Sequence, residues 1–172
     1  MAVSWTAFPL HPETPAEGLS LEALFAGRNV DIHSMITRLR NVAKEEGLPF
    51  GERTRTYNSR LAQELGKWAE SKGRGDVFHR AVFRAYFAEG KNIGQIPILT
   101  EVAVSVNLPG DEAREIMESR AFKESVDRDW VRSEALGVSA VPTFLMKGQV
   151  FVGAQPYNVL ERFLSHCGVK ER

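Results

Sequence analysis

The run Gly137-Val138-Ser139-Ala140-Val141-Pro142-Thr143-Phe144-Leu145-Met146, continued by Lys147-Gly148-Gln149-Val150-Phe151-Val152-Gly153-Ala154-Gln155-Pro156, carries more structural information than any other part of the chain. Gly137 stands where a helix should close, because glycine enters the left-handed region without steric cost. Thr143–Met146 and Gln149–Val152 read as two strands, with Lys147-Gly148 between them as a two-residue hairpin connection. Gly153-Ala154-Gln155 leads into Pro156, which suits the first turn of a helix because its φ is preset and no N–H is needed there. Tyr157, Leu160, Phe163 and Leu164 give that last helix its apolar face.

Upstream the pattern is helical from about Leu19 to Leu136. Ile32, Met35, Ile36, Leu39 and Ala43 recur at three and four residues, so Asp31 to Glu46 is expected to be an amphipathic helix. Asp31 supplies its N-cap and Gly47 its C-cap glycine. Leu48 to Thr56 reads as a loop. Asn58 or Ser59 caps a helix whose Leu61, Ala62, Leu65, Trp68 and Ala69 share a face. Asp76 caps another, stopped by Gly90, with Val77, Val82, Phe83, Tyr86 and Phe87 inward. Gln95 to Val106 and Asp111 to Ser119 are short helices separated by Pro109-Gly110. Ala121 to Leu136 is longer, with Phe122, Val126, Trp130 or Val131, and Ala135 or Leu136 inward. At the other end, Val3, Trp5 and Ala7 alternate with Ser4 and Thr6, a period-two strand signal that Pro9 terminates. Helices enclosed between strand segments point to an α/β sandwich with an insertion.

Composition narrows the function classes. The 172 residues suit one domain, or one core with an insertion, and 43% are hydrophobic. Lysine plus arginine equals aspartate plus glutamate at 22 each, so no global charge favours nucleic acid or an anionic membrane. No apolar run approaches the roughly 18 residues of a spanning helix, and the first residues lack the basic and apolar regions of a signal peptide. The reading is of a cytoplasmic protein. Cys167 is the only cysteine, so no internal disulfide can form. The histidines, His11, His33, His79 and His166, are scattered and show no zinc-ligand spacing. No metal and no tightly bound cofactor are expected.

A helix, a Gly-Val turn, Val141-Pro142-Thr143-Phe144, a hairpin and Gly153-Ala154-Gln155-Pro156 before a final helix resemble the C-terminal half of DsbA-family thioredoxin-fold proteins. The likeness is closest to the cytoplasmic FrnE-like branch, described as dithiol–disulfide isomerases. Phe83-Arg84-Ala85-Tyr86-Phe87-Ala88-Glu89-Gly90-Lys91-Asn92-Ile93-Gly94 resembles that branch's helical insertion. The resemblance implies a thioredoxin-like α/β core formed by residues 2–10 and 122–167, with an all-helical insertion over 19–121. It implies a cis bond before Pro142, which presents the Val141 backbone to an extended peptide or to a glutathione-like thiol. Ala140, Val141, Pro142 and Thr143 are then the substrate-docking residues. Val3 to Leu10 matches the family's second core strand. The family's first strand and active-site helix, with Cys-x-x-Cys, are therefore expected to be missing. Cys167, near the end of the last helix, is no substitute for a thiolate activated at a helix N-terminus.

The resemblance thus implies the docking remainder of a thiol–disulfide oxidoreductase, redox-inactive by itself. Kappa-class glutathione transferases and 2-hydroxychromene-2-carboxylate isomerases share the inserted architecture and use a serine; Asn58 is the secondary site residue that reading would involve. A non-enzymatic helical interaction module is the third reading, with Arg38, Arg40, Arg53, Arg55 and Arg60 as an anion patch, although interleaved glutamates make solvated faces the simpler account. Neighbouring strands lie about 4.8 Å apart, so loss of the strand between Val3–Phe8 and Thr143–Met146 leaves a gap that hydrogen bonds cannot bridge without movement. Either the two strands collapse together, a second chain supplies the missing pairing, or Val3–Phe8 leaves the sheet; a homodimer paired through Val3–Phe8 is the favoured outcome.

Overall fold

The computed structural model describes residues 3–169. Ala2, where the expected core segment begins, lies outside the described residues. The elements are β1 (Leu19–Ser20), α1 (Leu21–Leu24), α2 (Ile32–Glu45), β2 (Arg55–Thr56), α3 (Arg60–Ser71), α4 (Gly75–Phe83), a π-helical turn (Arg84–Ala88), α5 (Ile96–Ser105), α6 (Gly110–Ser119), α7 (Lys123–Ala135), β3 (Thr143–Met146), β4 (Gln149–Val152) and α8 (Tyr157–His166). They divide into a helical unit, His11–Val126, and a hairpin unit, Met1–Leu10 with Asp127–Arg172.

The helical unit is built on α3 to α6. Leu65, Trp68, Ala69, Phe78, Leu99, Ala103, Ala113 and Met117 are all at most 2% exposed and form its centre. Each large side chain removed from water in this way contributes roughly 1.5–3 kcal/mol. Polar groups at the edge of this core are paired. Trp68 Nε1 donates to Glu112 Oε1 over 3.2 Å, joining α3 to α6. Glu64, on α3, is itself buried and accepts from Arg60 one turn earlier and from Arg120 at 2.7 and 2.8 Å. Arg120 ends α6 in the left-handed conformation, φ 54°, a position unusual for a side chain with a Cβ.

Chain segments between helices are fastened to this frame by side chains. Asn58 Nδ2 donates to the carbonyls of Pro12 and Thr14 at 3.2 and 2.7 Å, and Asn92 Nδ2 to that of Ala16 at 2.9 Å. Arg55 donates to the Glu17 and Gly18 carbonyls. β1 and β2, unforeseen because each is two residues long, pair Leu19 with Thr56 inside the stretch read as a loop. The helix expected to run unbroken to Gly90 widens at Arg84–Ala88, where Glu89 N–H reaches the Arg84 carbonyl over 3.1 Å. Tyr86 and Phe87 consequently meet edge to face at 4.7 Å. Gly51 passes so close to this turn, with its N–H on the Phe87 carbonyl, that a Cβ there would collide with the Ala88 carbonyl.

Cap assignments divide. Asp31 caps α2 through Ser34 N–H at 3.0 Å. Asp76 is not a cap: Arg74 holds that position on α4 and Asp76 sits in the first turn, where its charge complements the dipole. Neither Asn58 nor Ser59 makes a side-chain cap on α3; Asn58 Oδ1 accepts from Arg60 N–H instead, while its amide serves the loop. α2 forms as expected, but none of its residues is buried, and Leu39 and Val42 remain 39 and 48% exposed.

In the hairpin unit β3 and β4 pair antiparallel, Thr143 with Val152 and Met146 with Gln149. Lys147 and Gly148 both have positive φ, 49° and 78°, as the type I′ turn that matches strand twist demands. Phe151 packs on Phe163 of α8 at 5.1 Å. The strand expected at Val3–Leu10 does not form. Alternation supplies two faces but no ladder partner, and the backbone finds side chains instead. Ala7 N–H donates to Asp129 Oδ2 at 2.8 Å and its carbonyl accepts from Ser133 Oγ, four residues on along α7.

Burial pushes the Glu64 carboxyl up, but hydrogen bonds and charge from Arg120 and Arg60 outweigh it and hold the group below its ordinary value of 4.5. Its contribution to stability is therefore complete above that value and is lost as the pH falls through the lower folded-state value. Glu64→Gln should cost about 2 kcal/mol at neutral pH in urea unfolding, since Arg120 is partly exposed and screened. The mutant and wild-type curves should converge in acid. Equal stabilities at pH 7 would contradict this.

A candidate docking loop

The residues Ala140–Thr143 occupy the turn between α7 and β3, and three local devices shape it. Helix α7 closes on Gly137, φ 66°, with Gly137 N–H on the Glu134 carbonyl and Val138 N–H on that of Ser133. The Val141–Pro142 peptide is cis. Thr143 Oγ1 donates to the Ala140 carbonyl over 2.6 Å and so closes the turn on itself. Gly153 N–H, just beyond β4, donates to the Pro142 carbonyl at 2.8 Å and ties the turn to the hairpin.

These bonds leave Val141 out. Its side chain is 45% exposed, and among the described residues its N–H and carbonyl have no hydrogen-bond partner. One donor and one acceptor on adjacent sides of an exposed backbone are what an extended ligand pairs with when it adds alongside a strand. Beside the loop, abutting Ser139, lies an open cavity of about 700 Å³. Phe8, Pro9, Trp130 and Val131 supply apolar lining, and Asp127 and Glu134 add carboxylates. Sequence reasoning did not pick out this cavity. Its one signal was the ambiguity between Trp130 and Val131 as the inward residue of α7; Val131 is 66% exposed.

The other singled-out residues lie elsewhere. Asn58 belongs to the helical unit, and its amide is engaged by Pro12, Thr14 and Arg60. Cys167 ends α8, is 5% exposed, and has its sulfur 3.9 Å from the Met146 carbonyl. A thiol so enclosed lacks the access that a disulfide-attacking nucleophile needs.

The family model described as a DSBA-like thioredoxin domain matches residues 1–165. The uncharacterized Bacillus subtilis protein YwbO is 35% identical over 107 residues, which are 61% of this chain and 53% of YwbO, so the chain spans about half the length of that relative. Among solved structures, one described as a probable DsbA oxidoreductase from Streptomyces coelicolor superposes with a TM-score of 0.83 at 24% identity, covering 95% of this chain and 74% of that one. The cytosolic disulfide reductase DsbM from Pseudomonas aeruginosa gives 0.57 at 21% identity over 78% of this chain and 77% of its own. The same protein with GSH gives 0.56 over 82% and 78%. At these identities the structural matches bear on fold alone, and the fold is the thioredoxin-like α/β fold with its helical insertion. With the family model spanning nearly all of its length, the chain belongs to the DSBA-like thioredoxin domain family.

Proposed function

We propose that this chain is the substrate-docking part of a thiol–disulfide oxidoreductase of the FrnE-like branch, acting in the cytoplasm and without dithiol turnover of its own. The observation that carries this reading is the Ala140–Thr143 loop, whose internal bonds hold Val141 exposed with a free backbone donor and acceptor. Those groups suit the backbone of an extended peptide or of a glutathione-like thiol. Resemblance of Phe83–Gly94 to the FrnE-like insertion supports the branch, and the cytosolic character of DsbM supports the compartment. The family's redox step needs an accessible thiolate to attack a disulfide, and the single cysteine here is buried.

In an insulin-reduction assay with dithiothreitol, the chain should give no turnover above background. Turnover that disappears in Cys167→Ser would overturn the reading. The pairing through a strand edge at Val3–Phe8 has lost its ladder, since that segment is not a strand. The surviving part of the expectation is that Val3 and Trp5, 71 and 41% exposed, are where two copies associate. Trp5→Asp should then weaken self-association by about tenfold or more, as loss of a buried aromatic anchor does. Sedimentation of the wild-type chain as a monomer at every concentration would remove the dimer.

A further inference from the structure

Helix α7 turns a face bearing two carboxylates toward the cavity beside Ser139. Asp127, Trp130, Val131 and Glu134 recur at three and four residues, so they share that face, and all four line the cavity. Arg128 and Arg132, each one residue beyond a lining position, stand off the face, and no lysine or arginine is among the lining residues. Phe8 and Pro9 form a second wall. It is fastened to α7 by the two hydrogen bonds that Ala7 makes with Asp129 and Ser133. The enclosed volume, about 700 Å³, suits a ligand group bound in a pocket formed before it arrives.

Glu134 sets the charge preference of this cavity. It is exposed, and among the described residues its carboxylate has neither an ion pair nor a hydrogen bond. It stands in the last turn of α7, where the helix's own carbonyls are already negative and a cation is the stabilising neighbour. Asp127, two turns earlier on the same face, adds to the negative potential. An alkyl chain with a cationic head matches these features together. Its stem packs on Val131 and the Phe8-Pro9 wall, its head meets Glu134, and an indole such as that of Trp130 attracts a cation more strongly than other rings.

We propose that this cavity receives a lysine or arginine side chain of the extended peptide that docks on Val141. The assignment rests on the docking role proposed for the Ala140–Thr143 loop and adds to it a preference for basic sequences. Ser139 lines the cavity and Val141 follows it by two residues, so at most about 7 Å of chain separates them. An extended ligand advances about 3.3 Å per residue and points alternate side chains the same way. A basic residue two positions from the one paired with Val141 is therefore placed to enter the cavity.

The test uses a ten-residue peptide, blocked at both ends and otherwise uncharged, with one cysteine. Lysine, norleucine or glutamate is scanned through the positions around that cysteine, and affinity is read from the Ser139, Val141 and Thr143 amides by NMR of the full chain. The best-placed lysine peptide should bind roughly tenfold more tightly than its norleucine counterpart, and the glutamate peptide should be the weakest. Glu134→Gln should weaken the lysine peptide about threefold and leave the norleucine peptide unchanged. Glu134→Lys, which suits the last turn of a helix, should reverse the order of lysine and glutamate. Equal binding of lysine and norleucine peptides at every position, with the Val141 and Thr143 amides still shifting, would overturn the proposal and leave the docking role standing. Peptides that move none of these amides would remove both.

Discussion

The helical unit depends on one buried carboxylate. Glu64 sits within the apolar face of α3, where an ionised side chain is unfavourable unless both oxygens are satisfied. Arg60 and Arg120 meet that need, and in doing so they fix the neighbouring chain. Arg120 is held in the left-handed conformation that ends α6, and Arg60 also donates to the Lys123 carbonyl at the start of α7. The ion cluster therefore sets where one helix stops and the next begins. The apolar core around Leu65, Trp68 and Phe78 supplies most of the stability, while the Glu64 cluster ties α3 to the end of α6 and the start of α7.

The hairpin unit is organised by backbone geometry. Gly137 ends α7, Lys147-Gly148 sets the register of β3 on β4, and Gly153 returns a hydrogen bond to the Pro142 carbonyl. The loop between is thus held at both ends by elements whose positions are fixed, as docking residues must be. Thr143 adds the internal bond to Ala140. Val141 keeps both its N–H and its carbonyl unpaired within that turn.

The sequence was most legible where local chemistry allows one answer. A two-residue Lys-Gly connection between β-rich runs leaves little freedom, and β3 and β4 begin and end where composition placed them. Asp31 three residues before Ser34 gave a cap for the same reason. Val3–Leu10 failed because period-two alternation describes a surface, and a strand also needs a neighbour. Asp129 and Ser133, more than a hundred residues away in sequence, captured Ala7 instead. Asn58 looked like a cap because its residue type favours caps, and only the fold shows the Pro12 and Thr14 carbonyls within its reach. The π-helical turn was hidden because Tyr86 and Phe87 both fit an ordinary helical face. The cavity beside Ser139 arises from packing between distant segments, which no window of sequence contains.

Membership in the DSBA-like family and the shape of the Ala140–Thr143 loop meet in one claim, that exposed backbone at Val141 receives an extended thiol-bearing ligand. The most direct measurement is backbone NMR of the chain titrated with an extended peptide containing cysteine. The account predicts saturable shifts of the Val141 and Thr143 amides, extending to residues lining the cavity beside Ser139. Shifts confined to the helical unit, or binding that leaves those two amides unmoved, would contradict it.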